Sequence, residues 1–171
     1  RSSCAGRTGC DSADPRLRIS AHDAGVRLLP TRRATRARLA ELVALARYEH
    51  LSMSPERVFE AESARAGVPL DRGLLDRGVR MRALGVQSAD PDPLRSYRQQ
   101  PAEDRPDYRR LPTVPMKLIV IDRRVALFPL VPDDYNRGYL EVVQPSVVAN
   151  FVALFEQQWT SVPEPSEPAM P

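Results

Sequence analysis

Two apolar runs, Leu118 to Ile121 and Val125 to Leu130, are separated only by Asp122-Arg123-Arg124. A link this short leaves no room for a crossover, so two strands joined by it pair antiparallel as a hairpin. The rest of the chain has to supply further strands and covering helices. Tyr108 to Leu111 and Tyr139 to Val143 share the same β-branched and aromatic bias and read as further strands. Both hairpin runs fall far short of the ~20 apolar residues of a membrane helix, so no membrane crossing is expected.

The first half alternates strand and helix signals. Val26, Leu28 and Leu29 form a short strand ending at Pro30, after which Thr31 caps a helix carrying Leu39, Leu42, Val43 and Ala46 at helical spacing, to about Glu49. Leu51 and Met53 alternate with Ser52 and Ser54 as a second strand. A second helical zone covers Glu56 to Ala66, breaks at Gly67 and Pro69, and resumes over Arg72 to Arg77 before Gly78. Val79, Met81 and Ala83 then alternate with Arg80 and Arg82 on a strand with two unlike faces. Asp90 to Pro93 start a turn, Leu94 to Gln100 read as a short helix, and Pro101 to Pro106 as a charged loop. Pro145 opens a last helix after Gln144, with Val147, Val148, Phe151, Leu154, Phe155 and Trp159 on one stripe, read as core before partner surface.

Alternating elements followed by clustered strands give a three-layer α/β architecture, a mixed sheet flanked by helices. With 171 residues, 42% hydrophobic and 27% charged, the chain can bury one ordinary core. The domain is expected over residues 25–161, with a disordered leader at 1–24 and a disordered tail at 162–171, neither of which has hydrophobic periodicity.

Nine arginines lie between Arg1 and Arg38 in a chain of net charge +3. No aromatic residues interleave them as stacking platforms, so they read as solvated positions of an arginine-rich composition before a nucleic-acid surface. Cys4 and Cys10 stand in the leader with neither His22 nor His50 at zinc-finger spacing. They are expected to be free thiols of a cytosolic chain, with no secretory signal visible. No metal ligand cluster, glycine-rich phosphate loop or Ser-His-Asp set is recognisable, and no cofactor is expected.

Lys117 is the only lysine. On a strand it shares a face with Ile119 and Ile121, so its ammonium needs a carboxylate, a bound anion or an exit to solvent. A salt bridge to Asp122 or another acid is the bland solution, and a ligand contact the functional one. Arg80 and Arg82 share a face as well. They are either solvated or, if their strand neighbours that of Lys117, part of one anion site with it.

Pro115, Lys117 and Asp122 stand at the spacing of the HxKxxxxD motif, and the segment resembles that of the phospholipase D superfamily with proline in place of histidine. In that superfamily the histidine attacks the phosphate and the lysine neutralises its charge. The small glycine and serine that commonly follow correspond here to Pro129 and Leu130. The order of Gly78 to Arg82, Arg110 to Lys117, Asp122 to Leu130 and Ala153 to Trp159 also resembles the phospholipase D-like regulatory domain of actinobacterial LuxR/TrmB-type transcriptional regulators. This resemblance implies a phospholipase D-like fold and a cytoplasmic, effector-sensing homodimer that binds DNA only through segments outside this chain. Its small-molecule effector, an anion by the charge of the pocket, would meet Lys117, Arg82, Arg80 and Asp122. Loss of the histidine implies that the chain is not an enzyme. The alternative is a phospholipase D-like phosphodiesterase or nuclease acting through unusual residues.

Overall fold

In a computed structural model describing residues 25–57, 61–86 and 107–162, with 61–66 in backbone only, the hairpin forms as expected. Strands β5 (Leu118–Ile121) and β6 (Val125–Val131) pair antiparallel, with Ile121 opposite Val125. Asp122 and Arg123 both take positive φ, 51° and 55°, and Arg124 N–H donates to the Ile121 carbonyl at 3.0 Å. Two left-handed central residues are the mark of a turn whose twist matches that of its strands.

The remaining elements are β1 (Val26–Leu29), α1 (Arg32–Leu45), β2 (Glu49–Ser54), α2 (Ala61–Asp76), β3 (Arg80–Val86), β4 (Asp107–Leu111), β7 (Asp134–Val142) and α3 (Pro145–Thr160). Together the strands make one seven-stranded sheet in the order β1-β7-β6-β5-β2-β3-β4. β2, β3 and β4 are parallel, whereas β5 is antiparallel to β2 and the sheet stays antiparallel out to β1. The mixed sheet therefore switches direction between β2 and β5.

Helix starts follow from local chemistry. The Thr31 side chain accepts from Ala34 N–H, and Gln144 accepts from Val147 N–H with Pro145 in the first turn, where its missing N–H costs nothing. One expectation fails: α2 runs unbroken through Gly67 and Pro69. Leu74 is fully buried and Leu70 packs on the same cluster, so burial of that face outweighs the hydrogen bond proline removes. β7 also begins earlier than Tyr139, at Asp134, because it pairs with the whole of β6 across a bulge between Pro129 and Val131.

Each face of the sheet has its own core. Leu51, Met53, Leu84, Leu118 and Val120 pack against Val148, Val152, Phe155 and Trp159 of α3. On the other face Met81, Ile121, Leu127 and Tyr139 pack against Leu42 and Val43 of α1 and Leu74 of α2. Val148, Phe155 and Trp159 are buried and Phe151 and Leu154 partly so, which makes most of the last helix's stripe core, worth about 1.5–3 kcal/mol for a side chain such as Phe155, while Val147 at its start is exposed. The leader 1–24 with Cys4, Cys10 and His22, the turn at 90–93, the helix at 94–100, the loop at 101–106 and the tail beyond 162 lie outside the described residues.

Candidate functional site

Met53 on β2 pairs with Leu118 on β5, which sets Lys117 beside Ser54 at the carboxyl end of β2. Lys117 Nζ donates to Glu56 Oε1 at 2.6 Å and to Ser54 Oγ at 3.3 Å, and lies 5.4 Å from the centre of the Tyr135 ring. Both charged side chains are largely covered, with 17% of Lys117 and 19% of Glu56 exposed, so the pair is screened far less than a surface pair. Glu56 Oε2 is buried with no hydrogen-bond partner. Burial first, and the Glu56 charge second, push the Tyr135 and Tyr139 hydroxyls above the usual tyrosine range. Both stay protonated donors at neutral pH.

The acid that pairs with Lys117 is thus Glu56, and Asp122 is elsewhere. Asp122 is five positions along the chain from Lys117, about 16 Å at ~3.3 Å per strand residue. Asp122 accepts from the backbone N–H groups of Arg47, Tyr48 and Glu49 at 3.0, 2.8 and 2.9 Å. Burial alone would raise its carboxyl, but these donors hold it below its ordinary value. Its work is to clamp the hairpin turn to the start of β2.

Arg82 does not join Lys117 either. It pairs with Leu51 in the β2–β3 register, facing α3, whereas Lys117 faces the side of α1 and α2. Strand alternation forbids their convergence, although β3 and β5 both flank β2. Arg82, only 4% exposed, donates from Nε and Nη2 to Glu49 Oε1 at 3.2 and 2.7 Å. Its Nη1 and Nη2 reach Glu156 at 2.9 and 2.7 Å, and its guanidinium lies 5.2 and 5.3 Å from the Phe155 and Trp159 rings. Arg123 joins the same two carboxylates at 2.8 and 2.6 Å. Hydrogen bonds from Arg82, ahead of all other causes, lower the Glu156 carboxyl to about 2. This balanced set of charges fastens α3 to the sheet. Arg80 shares the Arg82 face, as expected, but is exposed at the first position of β3 opposite Glu49.

Pro115 lies in an exposed bend ahead of β5, whose first residue is Leu118 and not Met116 as the pattern suggests. His50, on the Lys117 face of β2, pairs with Ile121. It is four positions from Ser54, about 13 Å, too far to stand in for the missing imidazole. Glu56, Ser54 and Tyr135 were not singled out by sequence. Their signal is positional: Ser54 and Glu56 flank Pro55 just where a strand ends, and carboxyl ends of parallel strands are where α/β sheets bind ligands. Among the described residues there is no metal-ligating cluster, and no helix is long and apolar enough to cross a membrane.

No protein-family model and no curated protein matches the sequence. Solved structures do. TrmBL2, an archaeal chromatin protein with a novel mode of DNA binding, superposes with a TM-score of 0.59 at 16% identity over 82% of this chain and 54% of its own. Nuc from Salmonella typhimurium, a phospholipase D family member, gives 0.59 at 12% identity over 83% and 98%. Phosphatidylserine synthase from Haemophilus influenzae Rd KW20 gives 0.61 at 12% identity over 79% and 36%. The chain thus spans about half of TrmBL2 and nearly all of Nuc. These likenesses correct the expectation that the chain is not an enzyme: its scaffold is shared with a phosphatidylserine synthase and a phospholipase D family member. The sheet, its order and its helices make this a phospholipase D-like α/β fold.

Proposed function

We propose that this chain acts on phosphodiesters at the Lys117–Glu56 edge, by direct attack of water and without a phosphohistidine. The observation that carries this reading is the largely buried ammonium–carboxylate pair at the carboxyl end of β2, in which Glu56 keeps one buried oxygen without a partner. A phosphoryl oxygen entering on Lys117 displaces Glu56 Oε1 and leaves the carboxylate beside the phosphorus. Glu56 then takes a proton from water as its oxygen bonds to phosphorus, the ester P–O bond breaks, and the leaving alkoxide recovers the proton. Ser54 and the protonated Tyr135 are the neutral donors for the remaining phosphoryl oxygens.

The test is hydrolysis of bis(p-nitrophenyl) phosphate by the wild type, Lys117→Ala and Glu56→Gln. Loss of turnover in both variants, with no phosphorylated protein trapped in the wild type, supports the reading. Turnover indifferent to Lys117→Ala removes it.

A second reading has its own support in the likeness to TrmBL2, about half of whose length this chain spans. On it, the same edge senses an anionic small-molecule effector within a dimeric, cytoplasmic transcriptional regulator. Dimers in sedimentation, and phosphate-ester binding lost in Lys117→Ala, would favour this role.

A further inference from the structure

The end of the sheet opposite Lys117 gathers basic residues from three stretches of sequence around one exposed ring. Asp122 draws them together: the N–H groups of Arg47 and Tyr48 donate to its carboxylate at 3.0 and 2.8 Å, and Arg80 N–H donates to the Tyr48 carbonyl at 3.0 Å. Arg124 closes the same hairpin turn as Asp122. Tyr48 is 72% exposed, and its side chain makes no hydrogen bond or ring contact among the described residues. Arg47, Arg80 and Arg124 are exposed too, and none of them forms a salt bridge among the described residues. The acids at this end are already engaged. Glu49 and Glu156 hold Arg82 and Arg123, and Asp122 accepts three backbone N–H groups. The surplus charge facing solvent beside the ring is therefore positive.

We propose that this end of the sheet binds single-stranded nucleic acid, one base stacking on Tyr48 while neighbouring phosphates lie on Arg47, Arg80 and Arg124. An aromatic ring among guanidinium groups is the pairing such a strand requires, since every base has a face to stack and every linkage a charge. The planar guanidinium fork also matches the free oxygens of a phosphate. Arg80 on β3 and Arg124 beyond β5 flank β2, two strand spacings apart or about 10 Å at ~4.8 Å each, so contact with both takes more than one nucleotide. A duplex keeps its base faces within its own stack and offers Tyr48 nothing to stack on. A lipid surface calls for a broader apolar face than Tyr48 with Leu45, three residues before it, provides. Nothing in this depends on hydrolysis at Lys117, which lies about 16 Å along the strand from Asp122.

The test is fluorescence anisotropy of a labelled dT dodecamer, alone and as a duplex with dA, titrated with the intact chain at several salt concentrations. The single strand is expected to bind more tightly than the duplex. Tyr48→Ala should weaken its binding about tenfold, and Tyr48→Phe, which keeps the ring, should change it little. Arg47→Ala, Arg80→Ala and Arg124→Ala should each flatten the dependence of log K on log salt by about 0.7, whereas Arg72→Ala, whose charge is already paired to Asp76, should change it by less. A duplex bound as tightly as the single strand, or Tyr48→Ala without effect, overturns the proposal. So do arginine effects no larger than that of Arg72→Ala, and binding of phosphatidylglycerol vesicles in place of the oligonucleotide. Turnover of bis(p-nitrophenyl) phosphate is expected to be unchanged in Tyr48→Ala. Its loss there would place Tyr48 in the Lys117 site and overturn a separate surface, while turnover indifferent to Lys117→Ala sinks the hydrolytic reading and leaves this one standing.

Discussion

Lys117 Nζ stands 2.6 Å from Glu56 Oε1, so the chain's single lysine rests against an internal anion. Any phosphate that binds there competes with a tethered carboxylate, whose effective concentration far exceeds that of a free ligand. The pair thus sets both the affinity of the edge and its selectivity: a monoanionic diester gains less than a dianionic phosphate from displacing Glu56. Tyr135 and Tyr139, kept protonated by burial and by the same carboxylate, add donors without adding charge.

Glu56→Gln is therefore expected to tighten inorganic phosphate binding by about tenfold, the effect of ~1.4 kcal/mol of removed competition, while abolishing diester hydrolysis. Calorimetry and a turnover assay on one preparation read the split. Weaker phosphate binding in Glu56→Gln would show that the carboxylate organises the cation instead of blocking it.

Arg82 is the opposite case, a cation committed to structure. Arg82→Ala leaves Glu49 and Glu156 facing each other under α3 and should cost about 3–5 kcal/mol in urea unfolding. Arg123→Ala, removing a half-exposed partner of the same acids, should cost about 1 kcal/mol or less. Because the Glu156 carboxyl is depressed to about 2 from 4.5, its share of stability is full above pH 4.5 and is lost as pH falls through 2. If Arg82→Lys instead weakens phosphate binding at unchanged stability, Arg82 belongs to a ligand site after all.

Most of the sheet is legible in the sequence because its strands are bounded by short polar turns and carry alternating apolar residues. The Asp122-Arg123-Arg124 link and the Arg80/Arg82 alternation are cases where period and spacing suffice. α2 is not fully legible, since Pro69 and Gly67 signal a break that only the burial of Leu74 overrides. The site is less so. Reading Lys117 and Arg82 as neighbours requires knowing which face each strand turns to the helices, and period 2 fixes alternation within a strand but not phase between strands. Glu56 is invisible to pattern because its partner lies in a different element, sixty-one positions away. Lys117 itself lies one residue ahead of β5, which begins at Leu118.

Asp122→Ala and Asp122→Asn separate two roles of one side chain. Alanine both removes the acceptor for Arg47, Tyr48 and Glu49 and strains a backbone at φ 51°, so about 2–3 kcal/mol should be lost. Asparagine tolerates that φ and keeps an acceptor, and about 1–2 kcal/mol should be lost with the charge. The folded carboxyl lies below 3.8, so wild-type stability from it is full above that pH and declines as pH falls through the depressed value. Equal costs for the two variants would mean that the backbone clamp contributes nothing.

His50 gives a pH window of its own. Burial lowers its imidazole from 6.5 to about 4, and Nδ1 is buried without a partner. The unfolded chain therefore takes up a proton at His50 before the folded one does. Stability from this group is complete above pH 6.5 and falls between 6.5 and 4, by roughly 3 kcal/mol at ~1.36 kcal/mol per pH unit. Glu156 and Asp122 act only below about 4.5, so among the shifted groups of the described residues pH 6.5 to 4.5 belongs to His50. Urea unfolding across that interval should show a steady loss in the wild type and a nearly flat line in His50→Leu. A wild type equally stable at pH 6.5 and 4.5 would mean that the buried imidazole accepts its proton inside the fold.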